Sequence, residues 1–231
     1  MIFHRLPTLI LTLHFCVAAF AQSINIISVS FAPVFENQDL QTGNHWYKMD
    51  SGDSVQIYML KFYVSDVELL NNDKSVWKEK NSFHLINSED SNTANFVLNI
   101  PPKLACDKMK FHLGIDSTTN VSGAMGGVLD PTLGMYWTWQ SGYINFKLEG
   151  NSNLCNTRNN EFQFHLGGYQ SPFSSLQTLE LNIENKNINI NVDVKKFLSA
   201  ANIATVNQIM SPGSDAVKLS QIAATIFSIK K

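Results

Sequence analysis

A single mainly-β domain, an antiparallel β-sandwich-like fold with a short C-terminal helix, is what this 231-residue sequence predicts. Three observations predict it. Apolar and polar residues alternate with period two from Ile24 to Val194, the mark of half-buried strands. Hydrophobic residues make up 44% of the chain and charged residues 16%, ample for one core and far from a disordered composition. Neither a linker nor a shift in composition divides the chain, so residues 22–231 read as one domain after a separate leader.

That leader is residues 1–21. Arg5 supplies an early positive charge, an apolar run follows from Thr8, and Ala19-Phe20-Ala21 closes it. These are the parts of a secretory signal peptide. Cleavage after Ala21 leaves a chain with no segment long and apolar enough to span a bilayer. A lipoprotein reading would use Cys16, but Phe15 stands where a small residue is needed. The expected location is periplasmic or secreted.

The first strand is Ile24–Phe31, with Ile27, Val29 and Phe31 on one face and Ser28 and Ser30 on the other. Val55–Val64 is a longer strand, and Asn95–Ile100 is stopped by Pro101-Pro102, which cannot continue a ladder. Tyr143–Glu149 alternates again. Leu179, Leu181 and Ile183 alternate up to Glu184-Asn185-Lys186-Asn187, and the pattern resumes at Ile188, Ile190, Val192 and Val194. This pair is predicted to form a hairpin. Finally Pro212-Gly213-Ser214 precedes Leu219, Ile222, Ala223 and Ile226 at helical spacing, which predicts a terminal helix on the sheet.

Charge and motifs exclude several functions. Seventeen basic residues against nineteen acidic ones, a net charge of −2, leave no footprint for nucleic acid. A hydrolase lacks a nucleophile elbow. Asp116, Thr118 and Asn120 suggest a calcium loop, but Val121 stands where that loop needs glycine. Cys106 and Cys155 are an even pair in an exported chain and are expected to form a disulfide. Closing a loop of roughly 50 residues would add about 4 kcal/mol in the chain-entropy model. Their separation excludes a CxxC redox motif.

The chemistry-bearing residues are histidines and aromatics. Phe-His-Leu occurs three times, at residues 83–85, 111–113 and 164–166. In a strand, His84, His112 and His165 each point opposite to their Phe and Leu neighbours. Imidazole is the commonest metal ligand among side chains, although strand parity does not establish that the three are adjacent. His45 stands apart before Trp46. The stretch 114–150 is rich in glycine and aromatics and includes Gly134-Met135-Tyr136-Trp137-Thr138-Trp139-Gln140-Ser141-Gly142-Tyr143. Trp137 and Trp139 share one face of an extended segment, as core fillers or as a shield for a metal site.

The segment Gly134 to Tyr143, Phe146-Lys147-Leu148-Glu149-Gly150 after it and Phe164-His165-Leu166-Gly167-Gly168 resemble the MbnP-like proteins. The resemblance extends to Phe62-Tyr63-Val64-Ser65-Asp66-Val67, His84-Leu85, Gly114-Ile115-Asp116 and Leu129-Asp130-Pro131. It implies an exported β-sandwich that binds one copper ion for acquisition, storage or delivery and is not itself a catalyst. In copper-binding members, histidines hold the ion beside a tryptophan oxidised to kynurenine, a change attributed to a di-haem peroxidase-like partner. A copper-uptake system is the other implied partner. His84 and His165 match the ligand positions best, and His112 is a third candidate. Ser82 stands two residues before His84, where a tryptophan would be looked for first, so Trp77, Trp137 and Trp139 are the candidates for modification or shielding. Met125 and Met135 are soft donors suited to Cu(I). The alternative reading is a metal-free exported module that uses the aromatic, glycine-rich loop for a ligand or protein partner.

Overall fold

The structure is a computed structural model and describes residues 25–230; the expected leader and Cys16 lie outside the described residues. In chain order the elements are β1 (Asn25–Phe35), β2 (Gln38–Asp39), β3 (Trp46–Lys48), β4 (Ser54–Asn71), β5 (Lys74–Lys78), β6 (Phe83–Asn87), β7 (Asn95–Ile100) and β8 (Lys108–Leu113). Helix α1 (Ser117–Val121) opens the aromatic loop. Then come β9 (Tyr136–Trp137), β10 (Gly142–Ser152), β11 (Glu161–Gly167), β12 (Gln177–Asn182) and β13 (Asn187–Asp193). The last elements are α2 (Val194–Ala201), β14 (Gln208–Ile209), α3 (Ser214–Ala224) and β15 (Phe227–Ile229).

Two sheets face each other, as the alternation predicts. The smaller is built on β1, with β13 and then β15 on one side and β2 and β7 on the other. The larger is built on β4, which carries β3, β6 and β5 along one edge and β10 followed by β8 along the other. β11 continues outward from β10, and β12 from β8. Two residues slip the pleat of β4. Its buried set runs Val55 and Ile57, then Leu60, Phe62 and Val64, then Val67 and Leu69. The second slip falls between Ser65 and Glu68, where Asp66 has φ 54°. Such bulges re-aim a strand and let one spine pair with β10 at one end and β8 at the other.

The main core lies between the sheets. Phe31 of β1 meets Phe62 and Phe111 of the larger sheet edge-on, with ring centroids 5.6 and 6.1 Å apart. A second cluster covers the far face of the larger sheet. There Tyr63, Leu85, Ile115, Leu129, Met135, Trp137 and Tyr143 are buried beneath the 114–141 loop. Asp193 caps α2 by accepting from the Lys196 N–H. Phe197 of that helix then packs on Phe146 and Phe164.

Three expectations change. The segments around Leu181 and Ile190 are not a hairpin: β12 pairs with β8 in the larger sheet, while β13 runs parallel to β1 in the smaller one. Both halves carry inward apolar residues, so a chain crossing between sheets buries them as well as a hairpin would. The predicted helix forms as α3, but it is followed by β15, which pairs with β13. Lastly, Cys106 and Cys155 are both free. Cys106 adjoins Asp107, whose N–H bonds to Leu70 near the end of β4, whereas Cys155 bonds to Ser152, the partner of Val55 near its start. The 15 residues from Val55 to Leu70 span tens of ångströms at ~3.3 Å each. A disulfide needs Cα atoms within about 7 Å.

No helix among the described residues is long and apolar enough to cross a membrane.

Candidate functional site

His84 lies on β6 directly opposite Val64, a core-facing residue. It therefore points toward the smaller sheet, where its ring stacks on Phe96 of β7 at 3.6 Å with the planes 8° apart. Its Nε2 is 2.8 Å from Glu79 Oε2. The same oxygen accepts from Ser82 Oγ at 2.6 Å, and Ser82 in turn accepts from the Val67 N–H. Glu79 is thus fixed by Ser82 and fixes the imidazole. A Glu79 carboxylate on Nε2–H leaves Nδ1 as the open lone pair, and no protein group bonds it among the described residues. A ligating histidine is commonly oriented in this way.

His165 belongs to the opposite face. It is the cross-strand partner of Lys147 on β10, and Lys147 is in turn the partner of Lys61 on β4. His165 Nε2 lies 2.6 Å from Glu149 Oε1, which also pairs with Lys147 Nζ at 3.3 Å. The His165 hydrogen bond holds the Glu149 carboxyl below its ordinary range, with Lys147 adding to the effect against burial. The His165 residue is 7% exposed. Lys61 of the same face is paired in turn with Glu89 at 3.3 Å.

His112 shares that outer face, between Ser65 and Thr178 of the neighbouring strands. Its Nε2 is 3.9 Å from Asp66 Oδ2, and its Nδ1 is buried without a partner. The structure does not bring the three histidines together. His84 and His165 sit on opposite faces of the sheet, and three strand spacings separate β6 from β11, about 14 Å at ~4.8 Å each. The first Phe-His-Leu copy is inverted: Phe83 and Leu85 face the second cluster, whereas Phe111, Leu113, Phe164 and Leu166 face the main core.

The tryptophans also separate. Trp77 is opposite Leu69 and packs on the main core. Trp137 is buried in the second cluster with its indole N–H unpartnered, and Trp139, 5.9 Å away by ring centroid, is 65% exposed. The ring on His84 is that of Phe96. Met135 is fully buried in the second cluster, Met125 is exposed, and His45 packs edge-on against Tyr47. A cleft of about 270 Å³ opens at the end of β11, between Trp137 and Gln140 on one side and Tyr169 to Phe173 on the other.

The model of the MbnP family matches residues 25–211. The chain belongs to the MbnP family. Among solved structures it is similar to MbnP from Methylosinus trichosporium, at a TM-score of 0.64 and 13% identity, over 90% of this chain and 98% of that one. At that identity the likeness speaks for the fold. No curated protein matches the chain.

The resemblance in the sequence implies a bound copper ion, for which the donor groups are the ones to compare. Among the described residues no three His, Cys, Asp or Glu side chains gather closely enough to hold a metal. His84 has one oriented nitrogen and one carboxylate behind it, not a closed ligand set. Glu79 and Glu149, the carboxylates that orient His84 and His165, escaped the sequence reading. Glu79 stands five residues before its histidine, and only the turn after β5 brings it back.

Proposed function

We propose that this MbnP-family chain is an exported, non-catalytic protein that takes copper as cargo and passes it on, with His84 as the anchoring ligand. The single observation that carries the reading is His84 held between Glu79 and Phe96 with Nδ1 free. One pre-oriented imidazole is an open coordination site. Open sites suit acquisition and delivery, because the donor or acceptor supplies the missing ligands during exchange. Storage needs a closed shell that this arrangement lacks. The leader-like segment 1–21 supports export.

The test is copper content by elemental mass spectrometry, combined with competition against a chromogenic Cu(I) chelator. The expected result is binding that falls at least about tenfold in His84→Ala, while the circular dichroism spectrum is retained. Absence of copper binding, or binding that is unchanged in His84→Ala and lost in His165→Ala, sinks the reading. A role for the aromatic loop in binding is favoured separately by the cleft at Trp137.

A further inference from the structure

The cleft beside Trp137 is independent of the histidine sites and has a composition of its own. Its floor is made possible by Gly167 and Gly168. A Cβ on Gly167 would come within 2.6 Å of the Trp137 ring, and one on Gly168 within 2.5 Å of the Phe173 carbonyl. These glycines let the indole and the 169–173 segment close on the end of β11. Trp137 is 5% exposed and forms one wall of the cleft; its Nε1–H is itself buried without a protein partner. Gln140 and Gln170 contribute carboxamides to the wall, and Tyr169 and Phe173 contribute rings. No lysine, arginine, aspartate, glutamate or histidine among the described residues lines the cleft.

We propose that this cleft binds a neutral saccharide ring. A charged ligand would lose its hydration with no counter-charge to meet it. A purely apolar one would meet two glutamines, Gln140 and Gln170, and leave their carboxamides unpaired where it covers them. A pyranose offers both hydroxyl donors and acceptors for the carboxamides and apolar C–H faces for Tyr169 and Phe173. The volume, about 270 Å³, falls just under the roughly 300–1,000 Å³ typical of drug-sized ligands, and so suits a single ring. Trp139, 65% exposed with its ring centroid 5.9 Å from that of Trp137, offers a ring on which a neighbouring sugar of a longer glycan would stack.

The test follows the indole N–H resonances of the folded chain by NMR during titration with N-acetylglucosamine and glucose. Galacturonate, glucosamine and indole serve as anionic, cationic and apolar probes. The expected result is a saturable shift of the Trp137 resonance with a Kd on the order of 1 mM for a neutral sugar. The charged probes should bind at least about tenfold more weakly. In the exposed double variant Gln140→Ala/Gln170→Ala the sugar affinity should fall about tenfold, a loss of two hydrogen-bonding groups. No saturable shift with either neutral sugar overturns the proposal. Equal binding of the charged sugars, a response to indole alone, or full binding by the double variant does so as well.

Discussion

Gly114 lies so close to Asn145 that a Cβ on the glycine would come within 2.2 Å of the Asn145 side chain. Asn145 uses that proximity. Its Oδ1 accepts from the Ile115 N–H at 2.9 Å, and its Nδ2 donates to Ser175 Oγ at 2.8 Å, all of it buried. The end of β8 is thereby tied to the start of β10 where both leave the same edge of β4. Gly114 also has φ +116°, a region an L side chain rarely adopts. Gly114→Ala is therefore expected to destabilise the fold by about 3 kcal/mol or more, from overpacking and backbone strain together. Asn145→Ala should cost roughly 1–3 kcal/mol for the orphaned Ile115 N–H. Urea unfolding at neutral pH measures both, and wild-type stability in Gly114→Ala would show that the contact is not tight.

Glu79 provides a second test, distinct from removing the histidine. Glu79→Gln keeps the size of the side chain and its bond to Ser82 but removes the charge behind His84 Nε2. Loss of such an outer partner commonly costs about 10–100-fold in metal affinity. Copper affinity is expected to fall at least about tenfold in Glu79→Gln with no change in unfolding midpoint. An unchanged affinity would mean that Glu79 serves packing alone.

How much was legible beforehand can be judged from these residues. Strands such as β7, β10 and β13 are visible because one face is buried and one is not, and α3 because its apolar residues recur at helical spacing. The inversion of the first Phe-His-Leu copy is not visible, since identical tripeptides of identical parity face opposite ways once β6 pairs with β4. The β12–β13 crossing is hidden for a related reason: alternation reports burial but not the sheet in which a strand is buried. Membership of the MbnP family was legible in the aromatic stretch, whereas the orientation of His84 by Glu79 depends on a turn that no pattern announces.

The free thiols yield a prediction that contrasts with the sequence expectation. Burial pushes both the Cys106 and the Cys155 thiol up from their ordinary range, which slows oxidation. Cys155 sits in the core with Sγ 3.7 Å from the Ile203 carbonyl. Alkylation of non-reduced protein after unfolding should label both cysteines, and a reducing agent should leave the melting temperature unchanged. Breaking a native disulfide typically costs about 2–5 kcal/mol, a melting shift too large to miss. Such a shift on reduction would restore the bridge.

Acid stability should report the network on the outer face. Glu149 titrates below its ordinary 4.5 because His165 hydrogen-bonds its carboxylate, with Lys147 alongside, and burial opposes this only in part. A carboxyl with a lowered folded-state pKa contributes stability that is fully present above 4.5. That contribution fades as the pH falls through the lower folded value, because the native state then takes up the proton it had resisted. Wild-type stability should therefore drop between neutral pH and the acid limb, and Glu149→Gln should flatten that limb by removing the titrating group. The substituted carboxamide would retain a carbonyl oxygen for His165 but no charge for Lys147, so the variant should start lower at neutral pH and converge with wild type in acid. Urea midpoints measured across that range decide the matter: parallel curves would show that the Glu149–His165 contact makes no charge-dependent contribution to the fold.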